Sequence, residues 1–169
     1  MGTRLLADGK TRFTVLTTKP ANPEAPTVAE LSAGIHLHNH ILTSDFTFGA
    51  VDSDKVAEKP LGSSGNANAI GASNWALAFT LWRKFLTAGG FDAADEAGWA
   101  ALKVKGATLW CYARQTDKEA DDAWAATDEI YLGAEFSNDN PQRTDGTGFI
   151  KYRCPCEVQK GYPFISVAA

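Results

Sequence analysis

Residues 74–85 read N-W-A-L-A-F-T-L-W-R-K-F, and no other stretch limits the fold as tightly. Trp75, Leu77, Phe79 and Leu81 occupy alternate positions. A strand has a side-chain period of two, so it sends these four to one face and Asn74, Ala76, Ala78, Thr80 and Trp82 to the other. Burying each large side chain is worth roughly 1.5–3 kcal/mol, so the first face belongs in a core. A helical stripe through Trp75, Phe79, Trp82 and Phe85 or Leu86 competes. The aromatic content and the Gly/Asn/Ser-rich stretch ahead favour the strand.

Further segments share the two-residue period. Residues 12–18 are rich in β-branched side chains. In 107–115, Trp110 and Tyr112 oppose Leu109 and Cys111. In 128–136, Ile130, Leu132, Ala134 and Phe136 oppose Glu129, Tyr131 and Glu135. In 149–158, Ile150, Tyr152, Cys154, Cys156 and Val158 oppose Lys151, Arg153 and Glu157. Shorter strands are expected over 35–41 and 45–50, the second setting Phe46 and Phe48 against Asp45 and Thr47. Thr27 and Glu30 have capping-box spacing, which predicts one helical turn over 27–31. Residues 92–104 read as a helix with Asp92 as its cap, interrupted by Gly98. One or two helical turns are expected around Trp124 in 117–126. The chain thus reads as a mainly β domain spanning 1–169.

Three segments lack such a pattern. Residues 1–11 form a polar arm. Residues 49–73, with K-P-L-G-S-S-G and N-A-N-A-I-G-A-S, form a loop longer than compact domains usually leave without a function. Residues 159–169 form a tail whose Tyr162, Phe164, Ile165 and Val167 are too apolar to stay in water.

The net charge of −4 argues against a surface made to grip nucleic acid. No apolar run approaches the ~20 residues of a membrane span, so no membrane insertion is expected. Three cysteines leave at least one unpaired, which fits a reducing compartment. All three share apolar parity, where free Cys behaves as a small hydrophobe. His36, His38 and His40 would point one way on a strand, as zinc ligands do, but no fourth ligand adjoins them. No nucleophile elbow, phosphate loop or dinucleotide fingerprint is present. No catalytic residue, cofactor or metal is therefore expected. Glu129, Glu135 and Asp45 suggest a negative surface past which an anion slides, against ordinary surface charge.

Several motifs, in order, carry a resemblance: A-D-G-K-T-R-F, A-P-T-V-A-E-L-S-A-G, W-A-L-A-F-T-L-W-R-K-F, K-V-K-G-A-T-L-W-C-Y-A-R, D-D-A-W-A-A-T-D-E-I-Y, D-N-P-Q and T-G-F-I-K-Y-R-C-P-C-E-V. Together they resemble the major tail protein, or tail tube protein, of long-tailed non-contractile phages, especially those of actinobacteria. The resemblance implies an α+β chain: a two-sheet β-sandwich or partial barrel flanked by one α-helix. It implies six-membered rings stacked into a virion tail tube that conducts genomic DNA. It also implies a tape-measure protein and tail tip or terminator proteins as partners, and assembly in the host cytoplasm.

Physics fits that expectation. Sheet edges passed head to tail close a ring, and axial repetition gives a filament. The arms 1–11, 49–73 and 159–169 would engage neighbours, with Asp52, Asp54, Lys59, Leu61 and Ile70 as contacts of the long loop. Asp45, Glu129 and Glu135 would line a lumen that repels DNA over a screening length of ~8–10 Å, so that DNA passes without specific binding. Two rivals remain: a monomeric β-sandwich module binding a sugar or protein through Trp82, Trp110 and Tyr131, and a small zinc enzyme using the three histidines.

Overall fold

The computed structural model of the chain describes residues 4–93, 95–144 and 146–169. Its strands are β1 (Thr11–Leu16), β2 (Ile35–His36), β3 (Thr47–Val51), β4 (Lys55–Glu58), β5 (Ala67–Ile70), β6 (Asn74–Trp82), β7 (Thr108–Gln115), β8 (Glu129–Asn138), β9 (Gln142–Arg143) and β10 (Lys151–Ser166). Helices α1 (Val28–Ser32) and α2 (Ala97–Leu102) and a 3-10 turn (Thr43–Asp45) complete the elements. The large antiparallel sheet runs β2-β1-β7-β8-β10-β6-β3, with β9 beside β10; β4 and β5 form a separate two-stranded sheet.

The stretch 74–85 forms a strand as far as Trp82, and Leu77, Phe79 and Leu81 are buried as its alternation requires. The large sheet curls until its ends face each other. Phe13 in β1 packs edge-on against Phe46, Phe48 and Phe79, with ring centroids 5.3, 5.7 and 5.6 Å away. Residues 35–51 run from the margin of β1 to that of β6. Leu37 donates to the Phe13 carbonyl, Ile41 bridges Leu81, and Trp82 donates to the His40 carbonyl. The main core lies inside this partial barrel and includes Leu109, Cys111, Leu132, Ala134, Phe136, Cys154 and Cys156. A second core lies on the opposite face of β7, where Trp110 and Tyr112 meet Leu31, Trp124, Ile130 and Val167.

Crossing between margins explains why the expected strand over 35–41 shrinks to Ile35–His36. The chain turns after Leu37, where His40 donates to the Leu37 carbonyl. The expected strand over 45–50 begins only at Thr47, because Thr43–Asp45 is the 3-10 turn that completes the crossing.

The capping box forms as its spacing predicts. The Glu30 N–H donates to Thr27 Oγ1 while the Glu30 carboxylate accepts from the Thr27 N–H. The helix expected over 92–104 is confined to Ala97–Leu102, and Glu96, not Asp92, precedes it. The Asp92 carbonyl instead accepts from the Asp95 and Glu96 N–H groups in a turn. At Gly98 the helix and the crossing segment approach closely, and a Cβ would lie 2.4 Å from Leu37 Cδ2. No helical turn forms over 117–126. The Arg114 guanidinium takes the carbonyls of Glu119, Asp122 and Ala123, and Arg12 takes those of Ala120 and Asp122. These carbonyls are therefore engaged by cations rather than by a helical ladder.

Residues 159–166 are not a free tail, because β10 continues through them along β8. Tyr162 and Val167 are buried within the same chain. On the side of β10 away from β8, the ladder with β6 ends at Cys156 among the described residues. From there the strand carries a bulge between Val158 and Lys160, then Pro163, then Phe164 at φ +51°. Pro163 offers no N–H, and the bulge and the left-handed residue turn bonding groups out of line.

The β8 alternation also breaks. Leu132, Ala134 and Phe136 face the main core, but Ile130 joins the second core and Tyr131 packs toward the first. The expectation that Glu129 and Glu135 share a face loses its basis.

Close packing yields one prediction here. A Cβ on Gly161 would lie 2.4–2.7 Å from three atoms of the Trp75 indole. Gly161→Ala is expected to cost about 1–3 kcal/mol by overpacking and to lower Tm by several degrees, at roughly 2–4 °C per kcal/mol for a chain of this size. Thermal unfolding followed by circular dichroism measures it.

Candidate assembly surfaces

The segment 49–73 is not structureless. Lys55, Val56, Ala57 and Glu58 pair with Ile70, Ala69, Asn68 and Ala67. The ribbon prolongs the β3–β6 ladder past Val51 and Asn74. At its root the Asp54 N–H donates to the Ala72 carbonyl, and the Gly71 N–H donates to the Asp54 carbonyl at 2.7 Å. Asn74 Nδ2 clamps the same point, donating to the Asp52 carbonyl at 3.1 Å and to Asp54 Oδ1 at 2.9 Å. All eight residues of β4 and β5 are exposed. The hairpin leaves no periodic signal in the sequence because neither of its faces is buried, so selection maintains no apolar alternation. Asp52 and Asp54, expected as contacts to neighbours, hold the root in this chain, and Lys55 lies 3.7 Å from Asp52. Lys59, Leu61 and Ile70 remain exposed, Leu61 completely.

The three expected lumen acids do not gather in one place. The Asp45 carboxylate accepts from the Thr80 hydroxyl in β6, two strands from β8. Glu135 is half-buried, in register with Lys160 and Trp110. Glu129 is exposed at the start of β8. Of the C-terminal candidates, Tyr162, Ile165 and Val167 serve the chain's own packing, whereas Phe164 stays exposed.

The start of β1 and the crossing segment enclose a groove of about 540 Å³. Phe13, Ile41 and Phe46 give it an apolar lining; Asp8, Thr43 and Gln115 are among its polar walls. Asp121 fixes one wall, accepting from Asn39 Nδ2 at 2.7 Å and meeting His38 Nε2 at 3.0 Å. The groove was invisible in the sequence because its lining comes from residues over 100 positions apart. Phe85, Leu86 and Phe91 form an exposed apolar patch beyond β6. Arg83 is buried against it, paired with Glu96 at 2.6 Å and lying 4.2 Å from the Trp99 ring centroid.

The three histidines do not converge. His36 bonds Thr14 Oγ1, and its ring lies 6.3 Å from that of His38. Burial, reinforced by Arg12 and His38, pushes His36 down to about 4, so it is neutral at pH 7. Among the described residues no group of three His, Cys, Asp or Glu side chains is placed to hold a metal. The three cysteines are buried and free. Burial pushes the Cys154 thiol up to about 12. Of the three aromatics a sugar- or protein-binding module would expose, Trp110 is buried, Tyr131 packs on the main core and Trp82 is half-buried.

A family model described as phage tail tube protein matches residues 1–169, the whole chain. Comparison with curated proteins and with solved structures returns no match.

Proposed function

The chain belongs to the phage tail tube protein family, and from that premise we propose that six copies close into a ring and that rings stack into the hollow tube conducting genomic DNA to the host. The family is structural and points to a non-enzymatic protein of the virion tail that assembles with itself. Residues 1–169 act as one tube-forming domain, assembled in the host cytoplasm around a tape-measure protein and joined to tip and terminator proteins.

The hairpin β4–β5 is the observation that carries this reading. An isolated two-stranded ribbon is at best marginally stable in water. Here such a ribbon leaves the body with Val56, Leu61 and Ile70 bare. Neighbouring copies supply the missing cover. Glu129, exposed at the start of β8, serves as an acid facing the channel, where repulsion keeps DNA off the wall, since a basic wall would hold the duplex through many phosphate contacts.

Negative-stain microscopy of the concentrated purified protein tests the proposal. Hollow tubes with six-fold end views are the expected result. Separate particles at every concentration would remove it. A reconstruction placing Glu129 on the outer wall would remove the channel assignment alone.

A further inference from the structure

The segment that crosses from β1 to β6 carries a histidine at each end of its path. His36 stands opposite Thr14 of β1, and the His40 carbonyl accepts from the Trp82 N–H of β6. Between them, His38 meets Asp121 through Nε2 at 3.0 Å, while its Nδ1 is buried with no hydrogen-bond partner among the described residues. Thr14 is fully buried, and its hydroxyl is shared between two rings. Trp124 Nε1 donates to Thr14 Oγ1 at 3.1 Å, and an indole N–H can only donate. The hydroxyl proton is therefore left for His36 Nδ1, 2.9 Å away, which accepts it on a neutral ring.

We propose that residues 35–45 are a proton-released strap: charging His36 and His40 unseats the segment from β1 and β6 and opens the barrel along that seam while the β7–β8 ladder stays closed. A proton on His36 Nδ1 turns the acceptor into a donor. The Thr14 hydroxyl must then accept from both rings, and its own proton loses its acceptor in a buried place, which is costly. The new charge also meets the Arg12 guanidinium, which the Ala120 and Asp122 carbonyls hold in position. At the other end, His40 is half-buried beside Lys84, with Asp95 and Glu96 as the carboxylates it faces. Both acids are already engaged, Asp95 by Lys84 and Glu96 by Arg83. His38 is the further titratable group facing both rings. Burial, then Arg12 and His38, hold His36 at about 4, and burial with Lys84 pushes His40 below its ordinary value. Freed into water, both rings return to about 6.5. The open form therefore binds protons more readily than the closed one. Closure is firmest above about pH 6.5 and weakens as pH falls toward 4. A single chain suffices for this switch, so it stands apart from the tube.

Amide hydrogen exchange of the full chain, resolved by residue and corrected for the intrinsic pH dependence of exchange, tests the strap. The reporters are the N–H groups of Leu37, Leu42 and Trp82, which donate to the carbonyls of Phe13, Thr80 and His40 across the seam. At pH 5 they should be at least about tenfold less protected than the amides of the β7–β8 ladder, as a part that opens ahead of the whole must be. Their protection should fall by at least about tenfold between pH 7 and pH 5, the linkage expected from His36 alone. His36→Asn combined with His40→Gln puts neutral amides at both positions, and protection should then stay within about threefold over the same range. One common exchange rate for strap and ladder overturns the proposal, as does protection that is flat from pH 7 to pH 5. An undiminished fall in the double variant overturns it too. If the double variant does not fold, the unaltered chain decides by the first two outcomes.

Discussion

Arg114→Met is expected to cost about 3–5 kcal/mol, the usual loss when one partner of a buried ion pair is removed. At roughly 2–4 °C per kcal/mol, Tm should fall on the order of 10 °C. The Arg114 side chain is 0% exposed and lies 2.8 Å from Asp128. Three carbonyls of residues 119–123 also accept from it. Removing the guanidinium leaves Lys118 as the remaining cation on the Asp128 carboxylate and strips the Ala123 carbonyl of its donor, while the Asp122 carbonyl keeps Arg12 and the Glu119 carbonyl keeps the Asp122 N–H. The loop that covers Trp124 and the second core would loosen with them. Burial alone pushes the Asp128 carboxyl up, but Lys118, the Ala125 N–H and Arg114 together hold it below the usual range. A depressed folded value means this stabilisation is fully present above the unfolded value near 4 and is lost as pH falls through the lower folded one. Unfolding of the unaltered chain should therefore show a stability loss below about pH 4. Asp128→Asn should flatten that step. An Arg114→Met protein with unchanged Tm would show that the network contributes nothing.

The second large effect concerns assembly rather than stability. Replacing residues 55–70 with Asn-Gly joins Asp54 to Gly71 through a two-residue turn. Asp54 and Gly71 are already bonded as the ends of such a turn must be, and Asn-Gly favours the required type I′ geometry. Because every residue of β4 and β5 is exposed, stability should change by no more than about 0.5 kcal/mol, as for ordinary surface changes. Tubes should be absent at concentrations where the unaltered chain assembles completely. Circular dichroism and thermal unfolding verify the fold; negative stain reads the assembly. Normal tubes from the shortened chain would show that the hairpin is dispensable.

How much of this was legible depended on whether a residue's neighbours were local. The Thr27–Glu30 box is decided within four positions, and it formed as its spacing dictates. The alternation in β6 and β7 was legible because each face meets a distinct environment. Acidic, alanine-rich residues 117–126 look helical on their own, but the cations that claim their carbonyls come from β1 and β7. Residues 159–166 looked like a tail because Gly161, Pro163 and a bulge hide the strand pattern, although β8 supplies a full-length partner. Nothing local marks Asp8 or Phe46 as groove residues, since the curl of the whole sheet brings them together. The family resemblance, by contrast, reads order along the chain and needs no geometry.

Two open stretches of the large sheet differ in what they invite: the part of β10 beyond its ladder with β6, and β3 at the margin. Along β10 the bulge, Pro163 and Phe164 spoil the template, whereas Thr47–Val51 in β3 offers neither proline nor charge. The first stretch therefore presents no regular row of bonding groups onto which another chain could zip. The open ladder that remains is the one running into the hairpin.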